Sequence, residues 1–315
     1  MPPRIRIGSR PSQLALAQSE IIRQQIEQVL PGLVCEIVPI KTTGDKLTTP
    51  SLAQVGGKGL FVRELEQALE AGRIDIAVHS MKDIPAVLAP RFRLLAVPAR
   101  EDSTDVLLSA GAGLMDLAPR ARLGTSSLRR RFEALRLRPD LDVQPLRGNI
   151  DTRLAKLKAG EFDAIILAAA GLKRLGHTDL PVAHRLDPEA FVPAGGQGAL
   201  AIEALELGTV GDSAEIEHAV RALEDPRARI EVSAERACLA EIGASCASPI
   251  GVSASAGGAE LSIRALLFSL DGARSMSDRS GVPATFDVSA AQRAGVELAR
   301  RMLAQGAREL IGDGG

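Results

Sequence analysis

Four short stretches of this chain carry side chains that could do chemistry together. His79-Ser80-Met81-Lys82-Asp83 sets one carboxylate beside a cation. Gly124-Thr125-Ser126-Ser127-Leu128-Arg129-Arg130 follows three hydroxyl residues with two guanidinium groups, and Leu146-Arg147-Gly148-Asn149 adds another. Cys246 stands in Gly243-Ala244-Ser245-Cys246-Ala247-Ser248-Pro249-Ile250-Gly251. Taken singly, the cysteine reads as a small buried residue and Lys82-Asp83 as a surface pair. Together they describe a cleft of anion-binding groups around one carboxylate, with a thiol that could hold something there.

Hydroxyl residues and free backbone N–H groups at 124–127, ahead of a helix, make a ready anion site, and Ser127 reads equally as a plain N-cap. Arg129 and Arg130 fall in the first helical turn, where positive charge opposes the helix dipole. An anionic ligand would remove that conflict. Arg10 and Ser12 occupy the equivalent corner earlier in the chain, and Arg147 and Arg153 repeat the pattern later. A GC-rich genome could account for 31 Arg against 7 Lys, but not for Arg at four separate strand-to-helix corners or loops. The expected ligand carries several carboxylates or phosphates, which Arg grips in a bidentate fork.

Asp83, alone among cations, is no acid/base dyad; it suits stabilising a developing cation or shuttling a proton. In Val55-Gly56-Gly57-Lys58-Gly59-Leu60 the Lys is followed by Gly, so the stretch is not a nucleotide loop and reads as a Gly-rich lid over the cleft. The four His (79, 177, 184, 218) show no ligand spacing, so no metal site is expected; His79 stands beside the cleft. Cys35, in an alternating strand pattern, and Cys238, in a helix, read as inert.

Two internal echoes indicate how these residues are positioned. In the first, residues 71–78 match residues 159–166: each ends an amphipathic helix (62–70, 151–158) at a Gly and enters an apolar run typical of a buried parallel strand, 74–78 in the first copy. In the second, Arg6-Ile7-Gly8-Ser9 matches Arg122-Leu123-Gly124-Thr125, a strand leading into a helix over 13–29 or 128–137. Because the echoes recur in the same order, two α/β domains of similar build are expected rather than a short-period solenoid.

The chain crosses between them at 98–103 and returns at 193–198, with a strand at 199–202 rejoining the first. Such a double crossing makes a hinge, with the ligand between the lobes. The expected domains are residues 1–99 with 200–218 (the lid near 43–60), residues 103–193, and a small α/β unit over 223–315. That last unit comprises a helix over 227–241, the cysteine loop, strands at 250–255 and 261–268, and a helix over 290–303.

A chain of 315 residues with 45% hydrophobic and 24% charged residues is globular and long enough for two or three domains. Its longest apolar run, 164–172, is too short to cross a bilayer, and the N-terminus has no apolar signal core. Three Cys outside any Cys-x-x-Cys pair point to a reducing, cytoplasmic compartment. A net charge of −1, no Trp or Tyr and seven Phe argue against a nucleic-acid partner.

The motifs above, with Ala169-Ala170-Gly171-Leu172-Lys173-Arg174-Leu175-Gly176, closely resemble the hydroxymethylbilane synthase (porphobilinogen deaminase) family over nearly the whole chain. The resemblance implies two type II periplasmic-binding-protein-like domains plus a small third one. It also implies a dipyrromethane cofactor joined to Cys246 by a thioether. Four porphobilinogen molecules would be added to it head to tail, each losing ammonia, before hydrolysis releases hydroxymethylbilane for tetrapyrrole and heme biosynthesis.

By the family pattern Asp83 would hold pyrrole N–H groups and stabilise the azafulvenium cation left when ammonia departs. Ser80, Lys82, Asp83, Thr125, Ser126, Ser127, Arg129, Arg130 and Asn149 match cofactor-holding positions. Arg10, Ser12, Gln18, Arg147, Arg153 and Arg174 match positions that hold carboxylates of substrate or growing polypyrrole chain, and Lys58 belongs to the lid. Each pyrrole carries an acetate and a propionate, which accounts for the Arg corners. Ala244-Ser245, Gln54 and Thr43 stand where many or some members have Gly-Gly, Lys and Arg. A monomer is expected. The competing readings are a non-catalytic solute-binding module on the same hinge, or a tetrapyrrole carrier.

Overall fold

The computed structural model describes residues 3–46, 62–177, 183–244 and 248–311. The first lobe comprises β1 (Arg4–Ser9), α1 (Gln13–Val29), β2 (Val34–Pro39), α2 (Thr43–Lys46), α3 (Arg63–Glu70), β3 (Ile76–Ser80) and β4 (Phe92–Ala96). The second comprises β5 (Asp105–Ser109), β6 (Arg122–Gly124), α4 (Leu128–Leu137), β7 (Asp142–Gln144), α5 (Ile150–Lys158), β8 (Ala164–Ala168), α6 (Ala169–Arg174) and β9 (Ala183–Arg185). The chain then returns through β10 (Leu200–Leu205), which joins the first sheet, and α7 (Ala214–Arg221).

The sheets run β2-β1-β3-β10-β4 and β7-β6-β8-β5-β9. Both follow one rule: second, first and third strands of the lobe, then the strand arriving from the other lobe, then the fourth. The arriving strand is antiparallel to both neighbours in each sheet. This is the periplasmic-binding-protein-like pattern of two sheets joined by two crossings. Each sheet is covered on both faces, as parallel strands require. In β8, Ala164 and Ile166 enter one core cluster, while Ile165 and Leu167 enter another.

The echoes fold into the same local device twice. Arg6 donates from its backbone N to Asp75 Oδ2 (2.7 Å) and from Nη2 to Oδ1 (2.6 Å); Arg122 repeats this on Asp163 at 2.7 and 2.9 Å. Gly8 and Gly124 are small for a matching reason. A Cβ on Gly8 would lie 2.3 Å from Ile74 Cδ1, and one on Gly124 2.8 Å from Phe162 Cδ1. These two glycines let each strand approach the residue entering the strand beside it.

The third unit packs α8 (Pro226–Ile242) and α9 (Val288–Ala304), with α10 (Ala307–Ile311), on an antiparallel sheet β11-β12-β13. These strands are β11 (Ile250–Gly257), β12 (Glu260–Phe268) and β13 (Ser275–Pro283). Val252, Ile263, Cys238, Leu298 and Met302 share its core. Gly295 permits the close helix crossing, since a Cβ there would meet the Ala234 carbonyl oxygen at 2.1 Å. The unit touches both lobes, through Ala228 and Val232 against Met81, and through Leu266 and Phe268 against Phe132 and Val192.

Three expectations change. The strand placed at 74–78 runs Ile76–Ser80, which brings Ser80 to its C-terminal end. Strand β13 and helix α10 were not anticipated. The segment Ser275-Met276-Ser277-Asp278-Arg279-Ser280-Gly281-Val282-Pro283 is polar because it forms a sheet edge and buries no residue fully. No helix among the described residues is long and apolar enough to cross a membrane.

Candidate active-site cleft

The first half of the site is built at the C-terminal ends of β1 and β3. Ser12 caps α1 by accepting from Ala15 N, leaving Arg10 in the loop ahead of it, paired with Asp45 at 2.5 Å. Gln18, one turn and a half into α1, is 3% exposed and donates from Nε2 to Ser80 Oγ at 2.9 Å. Ser80 leads into the short 3-10 turn Met81–Asp83. Arg10, Ser12, Gln18, His79, Ser80 and Asp83 line one pocket. The His79 ring is not free in it: Nε2 lies 2.9 Å from Glu203 Oε2, and both side chains are buried.

The second half is built at the ends of β6 and β8. Ser127 caps α4 by accepting from Arg130 N, and Ser126 Oγ donates to Leu146 O at 2.8 Å, tying the hydroxyl corner to the Arg147 loop. Asn149 caps α5, its Oδ1 accepting from Thr152 N and Oγ1 at 2.8 and 2.7 Å. Arg153 donates to Gly148 O at 2.8 Å, and Arg174 to Gly198 O in the second crossing at 2.6 Å.

Arg129 and Arg130 meet a partner that sequence reasoning missed. Asp105, fully buried at the start of β5, lies 2.8 Å from Arg129 Nη1 and 2.7 Å from Arg130 Nη2. Burial would push this carboxyl up, but the two guanidinium groups outweigh burial and hold it well below the carboxylate range. The clash with the α4 dipole is therefore relieved inside the lobe. Arg129 is further committed to Glu133 (3.1 Å) and Val192 O (2.8 Å).

Lys82 keeps part of its surface open, yet burial, followed by the charge of Arg130, pulls its ammonium down to about 8. Arg153 is lowered by the same two causes in the same order. Arg174 is pulled down by burial to about 10, with Glu101 opposing. Like charges thus crowd along one seam between the lobes. Cys246 and Lys58 lie outside the described residues, as does Gln54. Burial pushes Cys35 up to about 11 and Cys238 to about 12, which keeps both as unreactive thiols near neutral pH. Among the described residues no cluster of His, Cys, Asp or Glu could hold a metal ion.

Fold and site together define a two-lobed α/β protein, its lobes joined by two crossings and lined at their facing corners by Arg and Lys side chains. Residues 5–209 match the family model described as porphobilinogen deaminase, dipyromethane cofactor binding domain, and residues 229–304 match porphobilinogen deaminase, C-terminal domain. Relatives named porphobilinogen deaminase are similar over nearly their full lengths. That of Syntrophobacter fumaroxidans is 44% identical over 98% of this chain and 96% of its own. That of Sulfurimonas denitrificans is 45% identical over 97% and 95%, and that of Roseiflexus sp. 44% over 97% of both chains. The chain belongs to the porphobilinogen deaminase family.

The residues present fit the cofactor this family model names. A dipyrromethane bears four carboxylates, two on each pyrrole. Burial and then the charge of Arg130 lower the proton affinity of Lys82 and of Arg153, and bound carboxylates would oppose this by favouring the charged forms.

Proposed function

We propose that this enzyme, a transferase of tetrapyrrole biosynthesis, joins four porphobilinogen molecules head to tail on a covalent dipyrromethane, each losing ammonia, and that water then cleaves the bond to the dipyrromethane to release hydroxymethylbilane. The observation that carries the reading is that Lys82, in the turn that ends at Asp83, and Arg130 of the other lobe both reach Gln197 Oε1 (3.2 and 3.5 Å), with Arg153 close enough to feel the charge of Arg130. The dipyrromethane, held as a thioether on Cys246, supplies the pyrrole carbon to which new units are joined. Ser80, Lys82, Thr125, Ser126, Ser127, Arg129, Arg130 and Asn149 hold its carboxylates and fix its direction, several of them through the capped corners they build. Asp83 accepts hydrogen bonds from pyrrole N–H groups and stabilises positive charge as ammonia leaves, the electrostatic role for which a lone carboxylate among cations is suited. Arg10, Ser12, Gln18, Arg147, Arg153 and Arg174 take the carboxylates of the incoming unit and the lengthening chain. Lys58, outside the described residues, is assigned to the lid by the family pattern alone.

The domain division follows the same reading: 1–99 with 200–218, 103–193 and 223–315. The crossings between lobes lie near 100 and 195, which supports it. We further place the protein in the cytoplasm, as a monomer whose ligands are porphobilinogen and its oligomers rather than nucleic acid, membrane or metal. Support comes from a net charge of −1 and from the free thiols at Cys35 and Cys238. Cell fractionation and light scattering test these points; a membrane-bound fraction or a stable dimer would overturn them.

The deciding experiment is the intact mass of the denatured protein beside a Cys246→Ser control. An excess equal to two deaminated porphobilinogen units, absent from the control, is the expected result. A bare chain that takes up no adduct on incubation with porphobilinogen would sink the proposal.

A further inference from the structure

Gln197 belongs to the second crossing, and at 1% exposure it is buried between the lobes. Its amide touches both of them. Nε2 donates to Ser103 O at 2.7 Å and to Asp105 Oδ1 at 2.9 Å, two acceptors that settle which end of the amide is which. Oε1 then faces two cations, accepting from Lys82 Nζ at 3.2 Å and, more weakly, from Arg130 Nη2 at 3.5 Å. Among the described residues this is the sole hydrogen bond from the Lys82 ammonium.

The backbone around Gln197 is equally constrained. Gly196 and Gly198 adopt φ of +77° and +88°. A Cβ on Gly196 would lie 2.6 Å from Met81 Cγ and 3.0 Å from Lys82 N; one on Gly198 would lie 2.3 Å from Glu101 O. The crossing is therefore pressed against the turn that carries Lys82 and Asp83 on one side and against the first crossing on the other.

A neutral amide is the right group for this place. Asp105 already accepts from Arg130 and lies beside Arg129, so a second carboxylate at 197 would sit 2.9 Å from an existing one. An apolar side chain would take from the Lys82 ammonium its side-chain acceptor in the protein and from Asp105 one of its donors. The amide alone presents a donor to Asp105 and an acceptor to Lys82.

We infer that Gln197 is a positioning residue: its amide holds the Lys82 ammonium and ties the turn bearing Asp83 to the Asp105–Arg130 pair, keeping the two halves of the cleft in register. The inference rests on the cleft assignment proposed above. It makes Gln197 the part of the hinge that couples lobe orientation to the cation set, a role beyond filling space.

Two near-isosteric variants test it, Gln197→Met and Gln197→Glu. The readout is the pH dependence of Lys82 acylation by an amine-selective reagent, followed by peptide mass spectrometry on the protein as purified. Losing the acceptor in Gln197→Met should move the Lys82 midpoint down by about one pH unit, about tenfold in reactive amine at a fixed pH below it. Gaining a carboxylate in Gln197→Glu should move it up. Both variants should form bilane about tenfold more slowly than the parent, in proportion to lost positioning. Shifts of the same sign, or none in either variant, would overturn the inference, as would failure of both to fold, which would make Gln197 a structural residue. Labelling needs no turnover. A parent protein that formed no bilane would therefore count against the proposed function, while the midpoints still decided on Gln197.

Discussion

Arg100 reaches out of the first crossing to place its Nη1 2.8 Å from Glu235 Oε1 on α8, and both side chains are buried. Through this contact the third unit grips the hinge. Glu235 also accepts from Gly196 N of the second crossing (2.6 Å) and from Ala254 N of β11 (2.7 Å). One carboxylate thus holds both crossings and the third sheet. Removing it leaves two backbone N–H groups without their acceptor and the buried Arg100 guanidinium with only Glu231 (3.3 Å) as a charge partner. Glu235→Ala is expected to cost about 3–5 kcal/mol, measured by urea unfolding. A loss under about 1 kcal/mol, the size of an exposed pair, would show that the contact does not hold the hinge.

Asp83 stands at the end of the Met81–Asp83 turn and lines the pocket, and among the described residues its carboxylate enters no ion pair within 4 Å. Asp83→Ala should therefore melt within a few degrees of the parent while bilane formation falls on the order of 10²–10³-fold. Near-normal product formation, followed by absorbance of the oxidised product, would remove Asp83 from the mechanism.

Asp105 predicts how stability responds to acid. Its folded carboxyl is held below the ordinary 3.8 by Arg129 and Arg130, against the opposing effect of burial. A lowered carboxyl contributes stability that is present above the unfolded value and lost as pH falls through the folded one. The parent should therefore lose stability steadily below about pH 4, and Asp105→Asn should start less stable and show a shallower acid limb. Parallel curves for the two proteins would refute the linkage.

Lys82 trades stability for charge. Burial and Arg130 lower its ammonium from 10.5 to about 8, so the stability tied to this group is present above the unfolded value and lost as pH falls through about 8. At pH 7 the folded protein carries a charge it would hold more readily unfolded. Lys82→Met is expected to raise stability at pH 7 by about 0.5–2 kcal/mol while impairing turnover. A variant destabilised at pH 7 and unchanged in its pH profile would contradict this.

Gly198 is expected to tolerate no side chain. With φ at +88° and the Glu101 carbonyl oxygen 2.3 Å from where a Cβ would sit, Gly198→Ala meets both backbone strain and a clash between the crossings. The strain alone costs about 1–3 kcal/mol. Calorimetry should show a lower melting temperature, whereas a Gly72→Ala control, also at positive φ but with open space around it, should lose less. Equal losses would mean that the crossings do not press on each other.

The chain by itself determined what is local and what repeats. Residues 6–9 and 122–125 foretold a duplicated corner, and the structure builds it twice with Arg6 on Asp75 and Arg122 on Asp163. Helices at 13–29 and 128–137 were legible because apolar spacing and the caps Ser12 and Ser127 are properties of a few adjacent residues. The family was legible because its motifs keep order and spacing along one dimension.

Tertiary structure alone decided the partnerships across the cleft. No local pattern says that Asp105 meets Arg129 and Arg130, that Gln197 stands between Lys82 and Asp105, or that Glu235 closes on Arg100. Each pair is joined by folding elements far apart in sequence. Polar residues in such places look like surface residues until burial gives them a partner, because the cost of an unpaired charge appears only when water has been excluded.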